Sequence, residues 1–144
     1  VQDDSGGRAA KSDAIHLTLA FLGEADPEKA AAAAASVRGA RHELPIEQAQ
    51  YWPHNHIVWA GPLETPPALA ALAGALAQAL ASAGFELEER AFSAHVTLIR
   101  KARVKEALPL LPAVSWPVEE FVLVRSELSA EGARYAVLRR FRLD

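Results

Sequence analysis

Two alanine-rich runs, each entered through a proline, set the layout of this chain. Alanine has the highest helix propensity, and proline is accommodated at the first helical position, where its missing N–H costs no intrahelical bond. Asp26-Pro27-Glu28 supplies an N-cap, a proline and a first-turn acid, which predicts a helix to about Arg41. Thr65-Pro66 repeats the signal, and a second helix is predicted to end at Gly84.

The stretches around these helices have β character. AIHLTLAFLG (14–23) and FSAHVTLIR (92–100) are dense in apolar and β-branched residues and read as strands. IEQAQYW (46–52) alternates, IVWAG (57–61) is apolar, and a Pro-His-Asn turn between them predicts a hairpin. A short proline-interrupted helical piece at 104–111 leads to a closing hairpin of 118–128 and 134–143, joined by Ser-Ala-Glu-Gly. The opening VQDDSGGRAAKSD reads as a loop. The order is strand, helix, two strands, helix, strand, two strands. It predicts an α+β fold with antiparallel sheets and an internal pseudo-duplication, within a single domain over 1–144.

Composition narrows the chemistry. The chain has 144 residues, 51% hydrophobic and 23% charged, and no apolar run approaches the roughly 18 residues that cross a bilayer. With no charged-then-apolar opening segment, a cytoplasmic protein is expected. Cysteine is absent, which excludes disulfides, thiolate nucleophiles and thiolate metal sites. The net charge of -3 argues against broad, sequence-independent wrapping of nucleic acid. Residues 1–89 carry 5 basic and 12 acidic side chains, and 90–144 carry 10 basic and 6 acidic. An anionic ligand is therefore expected nearer the C-terminal half.

One tetrapeptide occurs twice. His16-Leu17-Thr18-Leu19 and His95-Val96-Thr97-Leu98 share the pattern His-x-Thr-Leu, 79 residues apart. In a strand, residues i and i+2 project from one face, so each segment presents an imidazole beside a hydroxyl. A single copy is unremarkable in a partly buried strand. Two copies match the needs of one reaction, because splitting a cyclic phosphodiester takes a base for the attacking water and an acid for the leaving oxygen. Histidine suits both roles, its ordinary pKa of about 6.5 lying near working pH. Threonine hydroxyls supply donors for the non-bridging oxygens. No metal and no cofactor are expected.

These segments resemble the paired motifs of the 2H phosphoesterases, in particular the LigT-like branch of RNA 2′,3′-cyclic phosphodiesterases, historically called 2′-5′ RNA ligases. The resemblance covers HLTLAFLGE at 16–24, YWPHNHIVWAGP at 51–62, FSAHVTLIRKA at 92–102 and the closing FVLVRSEL and YAVLRRFRL segments. It implies a bilobal, pseudo-duplicated fold of two antiparallel sheets around a central groove, with helices outside. It also implies roles: His16 as proton donor to the leaving oxygen, His95 as the proton acceptor that activates water, and Thr18, Thr97 and Arg100 as phosphate contacts. The implied substrates are RNA ends or nucleotides bearing a 2′,3′-cyclic phosphate, opened to a 2′-phosphomonoester by a monomer with no membrane partner. Family members usually begin with a strand of the type R-x-F-x-A, and the chain is expected to lack it.

Other residues have competing readings. Arg100 opens a basic run with Lys101, Arg103 and Lys105; a charge run is usually solvated, but an arginine fork beside His95 matches phosphate oxygens. Phe92 is expected in the core, with stacking on a nucleobase as its functional alternative. Tyr51 and Trp52 are read as hairpin packing. His54 and His56 form a His-x-His pair in a turn without a suitably spaced third ligand, and His42 is read as a surface residue at a helix end. Two other activities remain open from sequence: end joining through a 2′,5′ linkage, and non-catalytic nucleotide or RNA binding.

Overall fold

Both proline-entered runs are helical in the computed structural model, which describes residues 8–9, 16–87, 92–100, 114–129 and 132–144, with backbone alone at 8–9, 99–100, 128–129 and 132–133. The predicted helix at 104–111 and most of the opening segment lie outside the described residues. Among the latter, strands and helices follow in the order β1 (Arg8–Ala9), α1 (Pro27–Ala35), β2 (His42–Ile46), β3 (Gln48–Trp52), β4 (Ile57–Gly61), α2 (Pro67–Ser82), β5 (Val96–Arg100), β6 (Val114–Val118), β7 (Glu120–Ser129) and β8 (Gly132–Arg142). All the registers described are antiparallel, as the α+β reading predicts.

The chain divides into two compact units, each assembled from three separate stretches. The first comprises Val1–Thr18, Pro45–Glu64 and Ser93–Trp116. Its centre is a four-stranded sheet in the order β1-β5-β4-β3. Val58, Ala60, Ala94 and Val96 are buried in this unit. β3 and β4 form the predicted hairpin, with Trp52 opposite Ile57 and Gln50 opposite Trp59. Its turn needs one left-handed residue, and His56 takes that conformation with φ 57°. A hydrogen bond of 2.9 Å between the Tyr51 hydroxyl and His56 Nδ1 holds it there.

The second unit comprises Leu19–Leu44, Thr65–Phe92 and Pro117–Asp144. In α2, Leu69, Leu72, Ala73, Leu76 and Leu80 recur at helical spacing and are buried. Leu72, Leu76 and Leu80 cluster with Ala34 of α1, Phe121 of β7 and Leu143. Phe121 and Phe141 are cross-strand partners in the closing hairpin, with stacked rings 5.0 Å apart. The end of α2 follows from Gly84 at φ 96°. There Gly84 N–H bonds to Ala81 and Phe85 N–H to Leu80, a closing motif that satisfies carbonyls the helix leaves open.

Five local expectations are corrected. Arg8–Ala9, within the opening stretch read as a loop, form a short strand paired with β5. The stretch 14–23 does not form a full strand: over 16–23 only Leu17 makes a ladder contact, an isolated bridge to Val96. After Thr18 the chain leaves that ladder, and Leu19, Ala20 and Leu22 pack on the second unit's core. Helix α1 stops at Ala35 instead of Arg41, because Ser36 turns back with its N–H and hydroxyl both on the Ala33 carbonyl. His42 consequently is not at a helix end; it lies half-buried in β2, with Nδ1 2.9 Å from the Ala40 carbonyl. Strands β2 and β6, which contain Pro45 and Pro117, were not predicted. They form a two-stranded ladder among the described residues, and an edge strand tolerates proline.

Candidate active site

Within the first unit, β5 is flanked on one side by β4 and on the other by β1 and the Leu17 bridge. Antiparallel pairing of Leu17 with Val96 determines what lies beside them. One step outward in each direction, His16 comes into register with Thr97, and Thr18 with His95. Leu17 and Val96 share the opposite face, and Val96 is 4% exposed. The two His-x-Thr segments, 79 residues apart in sequence, therefore meet as lateral neighbours at the Leu17–Val96 bridge. Directly opposed residues in such a pair have Cβ atoms about 4.5–5.5 Å apart, and diagonal ones such as His16 and His95 about 7–8 Å.

Exposure differs across the four. His16 and Thr18 are exposed; His95 and Thr97 are half-buried. The His95 imidazole is held at one nitrogen, with Nδ1 2.9 Å from the Ser93 carbonyl oxygen. A carbonyl only accepts, so Nδ1 carries the proton and donates it, and in the neutral ring the lone pair resides on Nε2. The sequence expectation had His95 inside a strand. It sits one residue before β5, where the backbone is free to bring the Ser93 carbonyl round to the ring.

Aromatic residues complete the surroundings of His95. Trp59 lies opposite Thr97 in the β4–β5 ladder and so belongs to the same face. Trp52 shares that face through its partner Ile57. The Trp52 ring meets the His95 ring in a T-shaped contact with centroids 4.8 Å apart. Trp59 stands 6.3 Å from His95 and 5.0 Å from Trp52. The Trp59 indole N–H is buried without a hydrogen-bond partner among the described residues. Sequence reading placed Trp52 in hairpin packing and passed over Trp59. The available signal was the alternation Gln50, Trp52 and Ile57, Trp59, which becomes legible only with the register of the hairpin.

The end of β4 approaches the same segment from behind. A Cβ built on Gly61 would stand 2.7 Å from the Ala94 carbonyl oxygen and 3.3 Å from the Trp59 ring. Glycine at this position permits the close passage of two backbones immediately before His95.

The remaining candidates are placed as follows. Arg100 ends β5 opposite Arg8, and its side chain lies outside the described residues, as do Lys101, Arg103 and Lys105. Phe92 is half-buried and precedes β5, so strand alternation does not set its direction. His54 and His56 are exposed in the hairpin turn, and His54 lies 6.0 Å from the Trp52 ring. Among the described residues there is no group of three or more His, Asp or Glu suited to a metal. None of the described helices is long and apolar enough to cross a membrane.

Comparison with known proteins identifies the family and the fold. The family model described as the 2′-5′ RNA ligase superfamily matches residues 3–130. An RNA 2′,3′-cyclic phosphodiesterase of Escherichia coli (strain K12) is 35% identical over 142 residues, covering 95% of this chain and 80% of that protein. One from Thermus thermophilus is 36% identical over 142 residues, covering 90% and 72%. Among solved structures, E. coli LigT complexed with 3′-AMP superposes with a TM-score of 0.88 at 34% identity, covering 96% of this chain and 82% of that one. Other LigT crystals carry NADP+ or ATP. The fold is that of the LigT-like phosphoesterases, and the chain belongs to the 2′-5′ RNA ligase superfamily.

Proposed function

We propose that this chain is an RNA 2′,3′-cyclic phosphodiesterase that opens a terminal nucleoside 2′,3′-cyclic phosphate to the 2′-phosphomonoester. The observation that carries the reading is the Leu17–Val96 bridge, which brings the two His-x-Thr segments side by side. The identity to curated phosphodiesterases over most of the chain supports the reaction class.

In this mechanism His95 Nε2 takes a proton from water as the water oxygen attacks phosphorus. The P–O3′ bond breaks on the far side, and His16 gives its proton to O3′. The phosphate stays on O2′. The two imidazoles finish with exchanged protonation states and are reset by proton exchange with solvent. Diagonal placement of the histidines leaves space for the phosphorus between attacking and leaving oxygens. Thr18 and Thr97, each beside the other segment's histidine, donate to the non-bridging oxygens where charge develops. The Ser93 carbonyl holds His95 in the tautomer that acts as a base and stabilises the imidazolium that forms. Arg100 contributes a further phosphate contact. The nucleotide ligands of E. coli LigT support an RNA end or nucleotide as the bound species.

The test follows an oligonucleotide ending in 2′,3′-cyclic phosphate by phosphorus NMR, with wild type, His16→Ala and His95→Ala, in the presence of a chelator. A 2′-phosphomonoester from wild type, undiminished by chelator, is expected, with each variant slowed about 10²–10⁴-fold. Loss of turnover in chelator, a 3′-phosphate product or full activity in either variant would sink the reading. With an RNA 5′-hydroxyl in place of the attacking water, the same displacement through the same groups breaks P–O3′ and forms a 2′,5′ linkage, the activity for which the superfamily is named. Product analysis with 5′-hydroxyl RNA present separates the two outcomes.

A further inference from the structure

Trp52 is not one of the groups the proposed reaction uses, yet it makes the tightest ring contact of His95. Its centroid lies 4.8 Å away with the planes at 67°, whereas Trp59 stands at 6.3 Å. An edge-to-face contact of this kind is directional, because the ring face is negative and the edge positive. An imidazole also needs two restraints to be aimed. The Nδ1 bond to Ser93 fixes one point of the ring but leaves it able to pivot about that bond. Contact with Trp52 blocks the pivot. Trp52 is itself held, by its ladder pairing with Ile57 and by Trp59 at 5.0 Å.

We infer that Trp52 is a positioning residue, which sets the His95 imidazole so that Nε2 addresses the attacking water. The inference rests on the phosphodiesterase reading of the site. It assigns Trp52 no substrate contact, and this distinguishes it from a stacking platform for the nucleobase.

The experiment compares wild type, Trp52→Ala and Trp52→Phe, each checked for folding by circular dichroism. Three readouts are taken: kcat and KM on uridine- and adenosine-ended cyclic phosphates, the pH dependence of kcat, and the nitrogen-15 signals of the His95 ring. Phenylalanine keeps a ring at this position and therefore retains most of the restraint. For Trp52→Ala, kcat falls roughly 10–100-fold, the scale of a misplacement of up to about 1 Å. KM stays within about twofold on both substrates, and the His95 ring signals broaden as the ring samples several orientations about its bond to Ser93. Trp52→Phe recovers kcat to within about fivefold.

An unchanged kcat with unchanged His95 signals would overturn the inference. So would a rise in KM that depends on the base, which identifies a stacking platform, or equal losses in the Phe and Ala variants. If wild type itself opens no cyclic phosphate, the reading of the reaction fails. The His95 signals alone then decide whether Trp52 holds the ring.

Discussion

Replacing Gly61 with alanine tests whether the backbone behind His95 governs its chemistry. The added Cβ would meet the Ala94 carbonyl oxygen at 2.7 Å, about 0.7 Å inside ordinary contact at 3.4 Å. The neighbouring Trp59 ring, at 3.3 Å, closes the route for a sideways shift. The segment carrying Ala94 has to give, and Ser93 and His95 flank that residue. Overpacking of this kind costs about 1–3 kcal/mol. Removing a glycine returns about 0.4–1 kcal/mol through the unfolded chain. The net expectation is a loss of about 0.5–2 kcal/mol in urea unfolding.

The effect on turnover should be larger than on stability. A displacement near 0.7 Å at the Ser93–His95 segment predicts a kcat roughly 10–100-fold lower at saturating cyclic phosphate, under conditions where the variant is folded. Gly74→Ala is the control. It lies in α2, on the exposed side, with nothing within 4 Å of its built Cβ among the described residues. That variant should gain about 0.5–1 kcal/mol and keep its kcat. If Gly61→Ala matches wild type in both stability and kcat, the close approach of β4 has no role in holding His95.

The buried indole N–H of Trp59 gives a further expectation. Trp59→Phe keeps a ring on the site face and removes a buried N–H that lacks a partner among the described residues. An unpaired buried donor costs about 1–3 kcal/mol, so this variant should unfold at higher urea despite its smaller ring. A lower midpoint would show that the indole N–H is satisfied in solution.

Local signals in the sequence carried the elements whose causes are local. Alanine composition with proline entry marked both helices, and Asp26 caps the first as expected, accepting from Glu28 N–H at 3.0 Å. The β3–β4 and β7–β8 hairpins followed from apolar runs and their turns. Features decided by long-range contacts were not legible. The stretch after Thr18 has every strand propensity, but its apolar residues are claimed by another core. Strands β2 and β6 hold Pro45 and Pro117 and pair only with each other among the described residues, a long-range pairing with no local signal. At the site, the repeated tetrapeptide announced its four polar residues, whereas Trp52 beside His95 depends on a hairpin register and on where β5 lies.

The interleaving of the two units has a consequence for how activity is gained during folding. The Leu17–Val96 bridge closes a loop of roughly 80 residues, and everything in the second unit up to Phe92 lies within that loop or begins beside it. Closing long loops is entropically expensive and slow relative to helix or hairpin formation. The helices and the β3–β4 hairpin can therefore be complete while His16 and Thr18 are still apart from His95 and Thr97. Recovery of cyclic-phosphate opening after dilution from urea should lag behind recovery of the helical circular dichroism signal, which makes turnover a clock for the last long-range contact the chain forms.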